Sequence, residues 1–134
     1  MRLPMFLLLT LSSAISSVAA QTTSEVSFNS GNFGTMVTGA ISGDDYADYT
    51  LRAKDGQELF VELTVAETDG TGTAYFNILP PGSENVGIYN SSINGNTTTV
   101  DLQQSGLYTI RVYLMGNDRD AGKTVRFNMD LSIQ

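Results

Sequence analysis

The sequence predicts an all-β chain, an antiparallel two-sheet β-sandwich of about eight strands. Three observations carry that prediction. Apolar residues recur at every second position, most clearly at Leu59, Val61, Leu63 and Val65 and at Val125, Phe127, Met129, Leu131 and Ile133. This period of two turns one face of a strand to a core and the other to water. Stretches such as SGNFG, SGDD and ETDGTGT interrupt the alternating segments, and Gly and Asn suit turns because they accept positive φ. No segment of useful length shows the 3.6-residue period of an amphipathic helix. A closed barrel is the competing architecture.

Taken in order, Val26–Asn29 predicts a short first strand, Ser30–Gly34 a turn and Thr35–Ile41 a second strand. Ser42–Asp45 breaks the chain again. Tyr46–Ala53 alternates, with Tyr49, Leu51 and Ala53 inward and Asp48, Thr50 and Arg52 opposite. By the same parity Tyr46 points away from the core. Lys54–Gly56 is a tight turn, Glu58–Val65 a strand and Glu67–Thr73 a loop. Ala74–Leu79 is a strand stopped by Pro80–Pro81, because proline has no amide to give a ladder. Val86–Tyr89 reads as a short edge strand, Asn90–Asn96 as a polar turn and Thr97–Leu102 as a modest strand. The last two strands are the clearest: Tyr108, Ile110, Val112 and Leu114 share one face, and Val125 to Ile133 supply another. Roughly eight residues join them, long for a hairpin and ordinary for a binding loop.

Residues 1–20 have the pattern of a secretory signal peptide. Arg2 precedes the apolar PMFLLLTL, and SSVAA places small residues before an expected cut between Ala20 and Gln21. Residues 21–134 then form a single domain, roughly 114 residues and enough for one core. The expected product is soluble and exported, to the periplasm or beyond. It has no Cys, so packing and backbone pairing must stabilise it without disulfides.

The chain holds seven basic and fourteen acidic residues. Losing Arg2 with the leader leaves six against fourteen, a net charge of −8. That balance disfavours nucleic acid, which needs basic patches, and anionic membrane surfaces. It suits a cationic protein partner. With no His, Ser42, Ser83 and Ser105 lack the usual activating base. The turn carboxylates Asp44, Asp45, Asp48, Asp118 and Asp120 suit local hydrogen bonding better than paired glycosidase chemistry. GDD, TDG and NDRD offer oxygen ligands for calcium, without a recognisable twelve-residue calcium loop. No enzyme activity and no cofactor are expected. Arg111, on the outward side of its strand, is expected to pair with Glu58, Glu62 or a neighbour of Arg126. An edge strand such as Val86–Tyr89 leaves a monomer or a weak homodimer open.

Ser105–Ile133, SGLYTIRVYLMGNDRDAGKTVRFNMDLSI, carries SG-x-Y, an RV strand and an ND-x-x-A/G-x-K loop before the last strand. This resembles the C-terminal part of the bacterial periplasmic inhibitors of goose-type lysozyme. Ile41–Leu63, with its Tyr-x-x-Tyr spacing and GQ turn, and Ala74–Asn90 resemble the same family, so the likeness covers nearly all of the expected mature chain. It implies a cationic goose-type lysozyme as partner and a mechanism in which two loops enter the enzyme's substrate cleft, one bearing a tyrosine and one an arginine. The residues it implies are Tyr46 with Asp45 on one loop, and Arg119 with Asn117, Asp118 and Lys123 on the other. The alternatives are a carbohydrate- or cell-wall-binding module, with Tyr46, Tyr89 or Tyr113 stacking on sugars, and a calcium-dependent structural domain.

Overall fold

The computed structural model describes residues 20–29 and 31–134. The expected leader, apart from Ala20, lies outside the described residues, as does Ser30 of the SGNFG turn. Nine strands and two short helical segments follow in the order β1 (Gln21–Glu25), β2 (Gly34–Ser42), β3 (Tyr46–Ala53), β4 (Glu58–Thr68), β5 (Ala74–Leu79), β6 (Tyr89–Asn90), α1 (Ser91–Asn94), β7 (Thr97–Asp101), β8 (Gly106–Leu114), α2 (Gly116–Asp120) and β9 (Thr124–Ile133). They make two sheets, of order β1-β3-β8-β5-β6 and β2-β9-β4-β7. The predicted sandwich is present. Its pairs are antiparallel except β1–β3, which is parallel. Between those two strands the chain visits the other sheet, and β2 returns it to the end where β1 began.

The core lies between the sheets and is built from the alternating positions. Leu51, Leu59, Val61, Phe76, Ile78, Ile110, Val112, Val125 and Met129 are fully buried. In β9 the alternation is unbroken from Val125 to Ile133, and this strand sits between β2 and β4. Tyr49 and Phe127 meet edge to face across the sheets, centroids 6.2 Å apart, a preferred aromatic geometry.

Several local expectations need correction. The first strand is Gln21–Glu25, not Val26–Asn29. All five of its residues are exposed, so it has no alternation to read and is held by its backbone. Val26 is nonetheless buried, and its N–H donates to the Thr50 carbonyl at 2.8 Å. β4 runs on to Thr68 through a bulge between Val65 and Glu67. Val65 is exposed rather than inward, because β4 overhangs the core there and every residue from Thr64 to Thr68 is exposed. The short edge strand is Tyr89–Asn90, whereas Val86 lies outside it and is exposed. The Asn90–Asn96 turn contains one helical turn, capped by the Asn90 side chain on the Ser92 N–H at 3.1 Å.

Candidate functional site: the loop end of the sandwich

Strands β2, β4 and β8 all finish at one end of the sandwich, so the three connections that follow them gather there. They are Gly43–Asp45, Asp69–Thr73 and Met115–Lys123. Hydrogen bonds lace them together. The Gly43 N–H donates to the Lys123 carbonyl at 3.0 Å, and the Ser42 and Thr124 hydroxyls lie 2.7 Å apart. The Thr124 N–H donates to the Asp69 carboxylate at 2.9 Å. Gly43 has φ +55°, and a Cβ there would come within 3.3 Å of Gly122, so this close loop crossing favours glycine.

Asp118 is the strongest tie. Its side chain is 1% exposed and accepts from the N–H groups of Thr71, Gly72 and Thr73, each at 2.8 Å, and from the Thr73 hydroxyl at 3.0 Å. The Thr73 amide and then the Thr71 amide hold its pKa at about 2, against 3.8 ordinarily; burial pushes the other way, and the Thr73 hydroxyl and Gly72 amide add to the lowering. Asp118 therefore fastens two loops together from a buried position. It also leaves Arg119 to another acid.

Arg119 projects from α2 and donates from Nε to Asp44 Oδ1 at 2.9 Å. Both side chains are more than half exposed. The Asp44 hydrogen bond raises the Arg119 pKa. Asp44 thus ties the β8–β9 loop to the β2–β3 loop. Asn117 is exposed on the same helical turn, and Lys123 is partly covered with its backbone N–H and C=O both used.

Tyr46 opens β3 on the outer face, partly exposed, where parity places it. Its hydroxyl donates to Gln21 Oε1 at 3.1 Å, and the Arg111 guanidinium lies 4.5 Å from its ring centre, within cation–π range. Arg111 is fixed in turn. Its Nε and Nη2 form a fork on Asp48 at 2.8 and 2.9 Å, and Nη1 donates to the Glu84 carbonyl at 3.2 Å. The Asp48 hydrogen bond raises the Arg111 pKa. This corrects the expected pairing with Glu58 or Glu62, which belong to the other sheet; Asp48 and Arg111 are direct cross-strand partners on β3 and β8. Asp45, next to Tyr46, accepts the Ala20 N–H at 2.9 Å.

Tyr46, Asp45, Asn117, Arg119 and Lys123 are thus brought to one end, and Asp118 is drawn inside beneath them. Beside them the structure opens a hollow of about 520 Å³ lined by Tyr75, Ile93, Met115 and Asn117 among others. Ile93 and Met115 are exposed. Sequence reasoning missed both, since each lies outside an alternating segment. Among the calcium candidates, Asp44, Asp69 and Asp118 each accept a donor from the domain itself, and Asp45 accepts from Ala20, the residue before the expected cut. No group of three or more His, Cys, Asp or Glu among the described residues is arranged to hold a metal.

The fold and the site define a β-sandwich whose connections after β2, β4 and β8 are tied together at one end. No family model matches the chain. It is 31% identical over 118 residues to the inhibitor of g-type lysozyme of Escherichia coli K12, covering 88% of this chain and 86% of that one. The crystal structure of Aeromonas hydrophila PliG, a periplasmic inhibitor of g-type lysozyme, superposes with a TM-score of 0.78 at 30% identity, over 87% of this chain and all of that one. Salmonella Typhimurium PliG superposes with a TM-score of 0.64 at 26% identity, over 84% of this chain and 98% of that one. The chain belongs to the family of bacterial inhibitors of g-type lysozyme.

Proposed function

We propose that this protein is an exported, periplasmic inhibitor of goose-type lysozyme that closes the enzyme's substrate cleft with its loop end. The observation that carries the reading is identity spread over 88% of this chain and 86% of a g-type lysozyme inhibitor. A glycoside hydrolase of the usual kind sets two carboxyl groups about its scissile bond. An arginine fork suits such a cleft. Arg119 is the proposed probe, Tyr46 supplies rigid contact area, and Asp45, Asn117 and Lys123 form the rim. Asp44 holds Arg119 in place before binding. An exposed ion pair of that kind is weak, so a carboxylate in the cleft can take it over. Blocking the cleft suffices, with no bond made or broken in either protein. The acidic surface favours encounter with a cationic lysozyme, an effect that salt weakens.

The test is a titration of goose-type lysozyme activity on peptidoglycan. Activity is expected to vanish stoichiometrically, with Arg119→Ala and Tyr46→Ala each weakening inhibition by at least about tenfold. Full hydrolysis with the inhibitor in excess would defeat the reading. Unchanged inhibition by both variants would move the contact elsewhere on the surface.

A further inference from the structure

We propose that the exposed strand β1 is a working part of the inhibitory site, with Gln21 as the positioning residue for Tyr46; this rests on the reading that Tyr46 enters the lysozyme cleft. In the parallel β1–β3 pair, Gln21 stands in register with Tyr46 and Thr23 with Asp48. That offset lets one side chain serve two partners. Gln21 Nε2 donates to Asp48 Oδ2 at 2.9 Å, while its Oε1 accepts the Tyr46 hydroxyl at 3.1 Å. An amide is suited to this place because it gives and receives at once. A carboxylate would repel Asp48, and an ammonium could not accept from the tyrosine.

The rest of the network makes Gln21 a clamp and not a chance contact. Asp48 is 5% exposed and accepts from both Arg111 and Gln21. Arg111, locked by Asp48 and the Glu84 carbonyl, lies against the face of the Tyr46 ring. The ring is therefore held at its face by a cation and at its hydroxyl by an amide. These groups line one side of a polar hollow of about 410 Å³ on the outer face of the sheet. A side chain already fixed in its bound rotamer loses less entropy on docking, a gain of about two- to tenfold in affinity.

The test compares the exported wild-type protein, its mass confirming an uncyclised Gln21 after the expected cut, with Gln21→Met, which keeps length and removes both hydrogen bonds, and Gln21→Glu, which keeps the acceptor and places a charge beside Asp48. Gln21 is exposed, so both variants should fold with melting temperatures within about 2 °C of wild type. Ring NMR signals from labelled tyrosine give a readout that needs no lysozyme. The Tyr46 signals should shift and broaden in both variants, while those of the distant, buried Tyr108 stay in place. Inhibition should weaken by about two- to tenfold in Gln21→Met, and at least as much in Gln21→Glu. Unchanged Tyr46 signals would overturn the clamp. Shifted signals with undiminished inhibition would overturn its role in binding. A wild-type protein that fails to inhibit would overturn this role together with the functional reading, and the ring signals would still decide whether Gln21 holds Tyr46.

Discussion

Asp118 accepts four hydrogen bonds from three consecutive residues of another loop, and that concentration makes it sensitive to acid. Its pKa is about 2 in the fold and 3.8 when unperturbed. The folded value is depressed, so its contribution to stability is present in full above the unfolded value and is lost as pH falls through the folded one. The expected result is a melting temperature that declines between about pH 4 and pH 2, with a shallower decline in Asp118→Asn. The variant should also melt lower near neutral pH, since an amide offers one acceptor oxygen where the carboxylate offers two. Calorimetry across that range checks both. Equal acid slopes in the two proteins would show that Asp118 does not govern this window. The sequence showed three charges in a row here but not which one turns inward; that depends on the helical turn α2, which rotates Asp118 toward the β4–β5 loop and Arg119 toward Asp44.

At the scale of an element, β2 shows how closely the two sheets approach. A Cβ on Gly39 would lie 2.6 Å from both Phe127 Cζ and the Tyr49 hydroxyl oxygen, inside the contact distance of any real carbon. Gly39→Ala should therefore force the Tyr49–Phe127 pair apart and cost about 1–3 kcal/mol, read from urea denaturation. A neutral substitution would mean that the rings move aside freely. The strands that the sequence predicted well are those with one wet and one dry face. The inward faces of β8 and β9 are legible residue by residue, because burial and alternation coincide. β1 was illegible for the opposite reason: exposed on every residue, it follows from backbone pairing with β3, which no local pattern announces. The partner of Arg111 is illegible in the sequence for a related reason. Parity says that its side chain points outward, but not that β3 lies alongside β8.

On the scale of the whole molecule, the outward direction of Tyr46 and the position of the β8–β9 loop could be read from the chain, while the tie between them could not. It depends on Asp44 meeting Arg119 across 75 positions of sequence. The same long reach organises the second sheet, where Gly34 at the start of β2 pairs with Ser132 near the end of β9. β9 also pairs along β4 and supplies five buried side chains. A protein ending before Thr124 is expected to lose its cooperative unfolding transition and to be digested rapidly by a non-specific protease. A sharp transition in that truncated chain would mean that the remaining strands pack without their central member.

The position of β9 also bears on the order in which the second sheet can form. A chain made from its N-terminus delivers β2 and β4 long before the strand that joins them. Non-local pairs of this kind form slowly, and they cannot form at all until both partners are present. Until β9 is present, β2 has no partner in its sheet, and β4 has only β7. Closure of that sheet therefore waits for Thr124–Ile133, and the C-terminal strand acts as the timer of its assembly.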